Sequence, residues 1–216
     1  MTTVAILGGA GPQGRGLARR FAAAGVEVIL GSRTAERALA AADELTEEVG
    51  GEITGADNGT AARVGDIVLV VVPWEGHAAL LGSLAEELRG KLVVDCVNPL
   101  GFDKAGPYAL PVLEGSAAEQ ARALLPESTV VAAFHHLSAV VLDDPDVDSI
   151  DADVLVLGDD DVAVDRVIDL AGMLPGVRGV FGGRLRNAQQ VEALTANLIA
   201  INRRYRVHAG IRVTDV

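Results

Sequence analysis

The segment Gly9-Ala10-Gly11-Pro12-Gln13-Gly14 follows directly on the apolar run Val4-Ala5-Ile6-Leu7 and opens a helical pattern through Leu17, Phe21 and Ala24. A G-x-G-x-x-G in that position leaves few folds open. Gly9 permits the tight turn, Gly11 lets backbone approach a pyrophosphate, and Gly14 lets helix and strand pack closely. The helix N-terminus offers unpaired N–H groups to an anion. Val26 to Leu30 reads as the second strand, and a helix from about Thr34, its cap, to Glu48 follows. A βαβ unit is then complete within the length such a unit needs. The pattern predicts a dinucleotide site; a Gly-rich turn without ligand is the alternative.

At the end of the second strand stands Gly31-Ser32-Arg33, where NAD-binding chains place an Asp or Glu against the ribose 2′-hydroxyl. A carboxylate would repel a 2′-phosphate. Ser32 can donate to one, Arg33 can clamp it and stack beside the base, and Arg37 adds a second charge one helical turn on. The segment therefore points to NADP(H) over NAD(H), with a merely solvated Arg33 as the competing reading.

The remainder of the chain fits the same class. Half of its residues are apolar and only 3% aromatic, as expected where parallel strands are covered on both faces by closely packed helices. Ile67 to Val72 is the strongest apolar run and reads as a central strand ended by Pro73-Trp74. A helix from Gly76 to Leu88 and a strand from Leu92 to Val97 follow. From Asn98 to Pro111, Gly, Pro and Tyr occur without periodicity, which predicts a long loop of functional interest. Strands are expected at Val130–Phe134, Val154–Leu157 and Val177–Phe181, and 185–208 has the spacing of a long amphipathic helix. The expected fold is thus α/β: a Rossmann-type doubly wound parallel sheet over about 1–140, with a smaller C-terminal helical extension over 141–216.

A net charge of −12 argues against general affinity for nucleic acid or anionic membrane, and no apolar stretch approaches the length of a membrane span. With no basic leader before an apolar run, a cytoplasmic protein is expected. The charge is uneven: residues 178–216 hold seven arginines against Glu192 and Asp215, so a local anion site there stays open. Eleven Asp residues between Leu142 and Asp169 lack the Gly and terminal Glu of an EF-hand loop and read as solvated loops around a strand. Cys96, the single cysteine, excludes an intrachain disulfide and reads as a small buried hydrophobe.

With these segments in place, the chain resembles the deazaflavin-dependent NADP reductases, which pass hydride between NADP(H) and an 8-hydroxy-5-deazaflavin, coenzyme F420. The likeness runs through Leu7-Gly8-Gly9-Ala10-Gly11, Gly31-Ser32-Arg33, Val72-Pro73-Trp74-Glu75, Ala133-Phe134-His135 followed by Leu137, and Val191-Glu192-Ala193-Leu194-Thr195. The resemblance implies that Gly9, Ala10, Gly11, Pro12, Gln13, Ser32, Arg33 and Arg37 hold the pyrophosphate and 2′-phosphate. It also implies that Val72, Asn98 and Ala139 lie along the nicotinamide half, and that His135 and Leu137 flank the deazaflavin ring. Ala10 stands where the archaeal pattern has Thr, Arg37 where it has Lys, and Trp74-Glu75-Gly76-His77 carries a glycine between Glu and His. These departures look like an actinobacterial type.

Hydride transfer between two cofactors asks for stacked rings in a dry crevice rather than an acid or base, so no catalytic side chain is expected. Lys91 and Lys104 are the only lysines, which disfavours a dehydrogenase that protonates a hydroxy acid through a lysine. His135 and His136 follow a strand, where crevices of such sheets open; a ring contact competes with a structural role for His135, and roles for His136 and His77 stay open. His208 reads as surface. A homodimer through the long helix is expected. An NADPH-dependent reductase of imines or metal centres and a non-catalytic NADP(H) sensor are the rival readings, which fold alone does not separate.

Overall fold

The computed structural model describes residues 2–216. Five strands come first: β1 (Thr3–Leu7), β2 (Glu27–Ser32), β3 (Ile53–Asp57), β4 (Ile67–Val70) and β5 (Leu92–Asp95). A hairpin of β6 (Leu100–Asp103) and β7 (Gly106–Ala109) follows, then β8 (Thr129–Ala132), β9 (Ala152–Gly158) and β10 (Val177–Gly183). Apart from the hairpin they form one eight-stranded sheet in the order β10-β9-β8-β5-β4-β1-β2-β3. Neighbours run parallel except β8 and β9. Residues beyond 140 thus add two strands to the same sheet rather than a helical extension alone.

The helices are α1 (Pro12–Ala23), α2 (Ala35–Val49), α3 (Asn58–Val64), α4 (Trp74–Ser83), α5 (Ala117–Leu124), α6 (Ala139–Asp143), α7 (Asp161–Gly172) and α8 (Ala188–Tyr205). Alternation along β1 divides the core in two. Val4 and Ile6 join Leu17 and Phe21 of α1, Leu45 of α2 and Leu170 of α7. Ala5 and Leu7 join Ala61 of α3, Leu81 of α4, Ala117 of α5 and Val191 of α8. With both faces covered, strands such as β4, buried at every position, have no polar side to show.

The segment 98–111 is not the loop that its composition suggests. β6 and β7 pair antiparallel, Leu100 with Ala109 and Gly101 with Tyr108. Asp103 Oδ1 accepts from the Ala105 and Gly106 amides and closes the turn. The Tyr108 ring covers Gly101, where a Cβ would come within 2.4 Å of it. Burial along the ribbon does not alternate, each strand being buried or half-buried over its first two residues and exposed over its last two, so no period-2 pattern marks it. α5 and α6 also escape the sequence pattern, being only eight and five residues long.

The five-residue α6 holds its place through α1. Gly16 has no side chain because a Cβ there would meet Leu142 Cβ at 2.5 Å. The buried Arg20 guanidinium donates to the carbonyls of Leu142 (3.0 Å), Val141 (2.8 Å) and Asp144 (3.1 Å), and to that of Val147. One cation thereby satisfies the carbonyl end of a helix too short to be stable by itself. Replacing Arg20 with Met should cost about 2–4 kcal/mol, because one buried and three half-buried carbonyls would lose their donor. Denaturant unfolding measures this, and a loss below about 0.5 kcal/mol, the range of a neutral surface change, would show that α6 is held otherwise.

Candidate active site

The strand order reverses between β1 and β4, and a crevice opens there at the carboxyl ends of the strands, as it does in open sheets of this kind. The cavity has a volume of about 860 Å³. In the order of the strands that they follow, Ser32, Arg33 and Arg37 at β2 line one end, Ala10, Gly11, Pro12 and Gln13 after β1 and Val72 after β4 come next, and Cys96, Val97 and Asn98 after β5 line the other end. Asn58, after β3, and Trp74 and Leu80 of α4 line it too.

The glycine turn divides into two physical roles. A Cβ on Gly14 would sit 2.6 Å from Gly9 Cα, and one on Gly9 would sit 2.8 Å from the Ile6 carbonyl oxygen, so the fold itself requires both glycines. A Cβ on Gly11 would meet only the Gly8 carbonyl oxygen, at 3.4 Å, and would otherwise project into the cavity. The bare Gly11 therefore leaves room for something outside the protein. α1 begins at Pro12 without any side-chain cap, which leaves its first N–H groups free for an anion.

At the other end the chain leaves β8 through Phe134, which is fully buried with φ +64°. A left-handed aromatic residue is strained by about 1–3 kcal/mol. Phe21 packs edge-on against it, with ring centroids 6.1 Å apart. Gln13 Nε2 donates to the Phe134 carbonyl at 3.0 Å. Asn98 Nδ2 donates to the His135 carbonyl at 2.8 Å, and Thr195 Oγ1 of α8 lies 3.1 Å from the same oxygen. Two side chains of the cavity wall thus hold the strained step.

His135 and Leu137 are buried and Ala139 opens α6; none of the three borders the main cavity, and all follow the Asn98 end of it. Gly9 also lies beneath the wall. Both ring nitrogens of His135 and of His136 are buried without a hydrogen-bond partner among the described residues. Burial pushes His135 down to about 4, with His136 adding to the effect, and burial does the same to His136. Both rings are neutral at pH 7. Orphaned nitrogens of this kind call for a partner from outside the chain, solvent or ligand.

His77 is a structural histidine. Its Nε2 lies 2.7 Å from Asp95 Oδ2 and its Nδ1 2.9 Å from Gln120 Oε1. Gln120 Nε2 donates to Glu114, so the amide oxygen faces the imidazole and both ring nitrogens donate. The ring is then an imidazolium. Burial alone would lower its pKa, but Asp95, with Gln120 and Glu192, raises it above the ordinary value. Trp74 stacks on His77 at 5.5 Å, which braces the crevice wall. Cys96 is a buried free thiol, pushed well up by burial and by Asp95. Of the seven C-terminal arginines, Arg178 and Arg212 converge on buried Asp153, and Arg184 is tied to Asp161. His208 is exposed and lies 3.3 Å from Ser138.

Residues 3–99 match the family model for NADP oxidoreductase, coenzyme F420-dependent. The F420-dependent NADP reductase of Methanocaldococcus jannaschii is 40% identical over 222 residues, covering 99% of this chain and 98% of its own. That of Methanothermobacter marburgensis is 38% identical over 221 residues, covering 99% and 98%. The chain belongs to the F420-dependent NADP reductase family. The crystal structure of a candidate F420-dependent NADP reductase from Arthrobacter sp. FB24 superposes with a TM-score of 0.84 at 27% identity, covering 99% of this chain and all of that one. No helix of the described chain is long and apolar enough to cross a membrane.

The sequence pattern does not single out Asn58, whose Oδ1 lies 3.4 Å from the Gly8 amide at the crevice, although a polar residue directly after a strand is a signal for it. It shows Glu192 only within the Val191–Thr195 motif, and nothing local gives Glu192 a role. Its buried carboxylate accepts from the amides of Ala117 (2.9 Å) and Ala118 (3.2 Å) at the start of α5. Burial nevertheless pushes it up to about 7. A carboxyl whose pKa rises on folding from an ordinary 4.5 binds protons more tightly in the native state. Stability from this group is full below pH 4.5 and is lost as pH rises toward 7. Relative to Glu192→Gln, the native protein should lose up to about 3 kcal/mol over that interval. Denaturation at several pH values tests this, and a difference that stays flat with pH would contradict it.

Proposed function

We propose that the chain transfers hydride between NADP(H) and coenzyme F420, with NADP(H) along the crevice from Arg33 to Asn98 and the 8-hydroxy-5-deazaflavin beyond Asn98. The observation that carries this reading is one continuous cavity joining a cationic end, an uncapped helix N-terminus and the Asn98 wall, in a chain about 40% identical, end to end, to F420-dependent NADP reductases. The room left at Gly11 fits a pyrophosphate held by N–H groups of α1. Ser32, Arg33 and Arg37 would hold the 2′-phosphate, Arg33 with a planar fork suited to it. Val72 would border the nicotinamide half within the crevice, and Ala139, outside its lining at the start of α6, would approach that half from beyond Asn98. The orphaned ring nitrogens of His135 support a contact with polar edges of the deazaflavin, and Leu137 would supply an apolar face.

Bound NADPH supplies a hydride, and the deazaflavin takes it up together with one proton from solvent, leaving NADP+ and the reduced deazaflavin. The protein's part is alignment and exclusion of water. Neutral His135 places no charge beside the path of the hydride. The protein works in the cytoplasm, and a homodimer through α8 accords with Ile201 and Tyr205 standing exposed on its last turns.

Purified protein mixed with NADPH and oxidised F420 should bleach the deazaflavin's visible absorbance with no metal or flavin added. Arg33→Ala should weaken NADP(H) by about 1.5–3 kcal/mol while leaving NAD(H) nearly unchanged. Tight NADPH binding without bleaching would favour the sensor, and equal loss for both nucleotides would remove Arg33 from the 2′-phosphate site.

A further inference from the structure

Three ionisable side chains, His77, Asp95 and Glu192, are buried to 2% exposure or less near the Asn98 end of the crevice, and none borders it. Hydride transfer uses none of them. His77 and Asp95 satisfy each other. Glu192 reaches across instead, from α8 to the first amides of α5, where Ser116 already supplies the side-chain cap. The stability of α5 therefore does not depend on this acid alone, and its burial at a cost suggests another use.

That use lies three residues on. Thr195 shares a face of α8 with Glu192, one turn toward the crevice. Its hydroxyl lies 3.1 Å from the His135 carbonyl and 3.3 Å from Asn98 Oδ1, and Asn98 itself holds that carbonyl. The remaining packing of α8 and its preceding turn in this core is apolar, through Leu185, Ala188 and Val191. Apolar contact is non-directional and does not fix the height of a helix closely. Two charge-assisted hydrogen bonds to adjacent backbone amides do.

We propose that Glu192 is a positioning residue for hydride transfer: seated on the first amides of α5, it sets the height of α8 at which Thr195 reaches Asn98 and the His135 carbonyl. The wall where the two rings meet is thereby held in register. This rests on the reading that Asn98 and His135 border that meeting point. The groups facing Glu192 are Asp95 from β5, His77 from α4 and the amides of α5; the Asp95 charge disfavours its ionisation and the His77 charge favours it. Ionised, the carboxylate accepts from both amides; protonated, it turns a donor toward one of them and loosens the seat.

Steady-state kinetics of the full chain with NADPH and F420 test the proposal. Glu192→Ala and Thr195→Val should each lower kcat roughly 10- to 100-fold, the scale of a small misplacement of reacting groups. The KM for NADPH should move less than about twofold, and Thr195→Ser should restore kcat. The double variant should be no worse than the poorer single one, because both act on one contact. The native kcat should rise across pH 7 by a step that Glu192→Gln lacks; titration of the deazaflavin's own hydroxyl is common to both and cancels in the comparison. If Glu192→Ala does not fold, the Thr195 pair and Glu192→Gln carry the test. Native kcat in Glu192→Gln and Thr195→Val, or additive losses in the double variant, beside an impaired Asn98→Ala, would overturn the proposal alone. An unimpaired Asn98→Ala would overturn the placement of the rings and the proposal with it.

Discussion

Everything at the crevice depends on how closely α1 meets β1. With 2.6 Å between a hypothetical Gly14 Cβ and Gly9 Cα, no side chain larger than hydrogen fits between helix and turn. This contact aims the uncapped N-terminus of α1 along the carboxyl edge of the sheet and leaves Gly11 bare above it. An anion brought there finds N–H donors already fixed, so little ordering remains to oppose binding. The same helix carries Gln13 to the Phe134 carbonyl and Arg20 to the end of α6, so the glycine turn and the far wall of the crevice share one rigid support.

The far wall shows how an apolar sheet is made to carry polar function. Phe134 takes a backbone conformation that aromatic residues avoid, and the strain is offset by carbonyl bonds from Gln13, Asn98 and Thr195 together with the Phe21 contact. Behind it, the His77 imidazolium and Asp95 carboxylate pair in a site without solvent. Asp95 Oδ1 also accepts from the Val97 amide, which fixes the chain where β5 turns toward Asn98. A buried ion pair is a poor source of net stability, but removing one partner is costly, so such a pair specifies one arrangement of the wall.

Much of this was legible in the residues. Parallel strands buried on both faces announce themselves as apolar runs, and a glycine turn between strand and helix has few structural meanings, so the sheet and the bringing together of the glycine turn with Ser32-Arg33 in one crevice followed from local pattern. The β6–β7 ribbon did not, because Gly101 and Tyr108 stabilise each other across a turn and leave no alternation along the chain. Neither did the reversal of β9, since a strand's direction in a sheet is decided by partners distant in sequence. His77 was ambiguous for the same reason: its partners Asp95 and Gln120 lie 18 and 43 positions away. The role of Glu192 was not legible either, because its partners, the Ala117 and Ala118 amides, lie 75 and 74 positions away.

Direct transfer in a dry crevice, with the protein supplying position rather than protons, is the central claim. It is tested by NADPH carrying deuterium at carbon 4 on the transferred face, turned over with oxidised F420 in ordinary water. The label should arrive at carbon 5 of the reduced deazaflavin undiluted by solvent hydrogen. Deuterium appearing in water, with protium at carbon 5, would contradict the account and require a proton-exchanging group in the path.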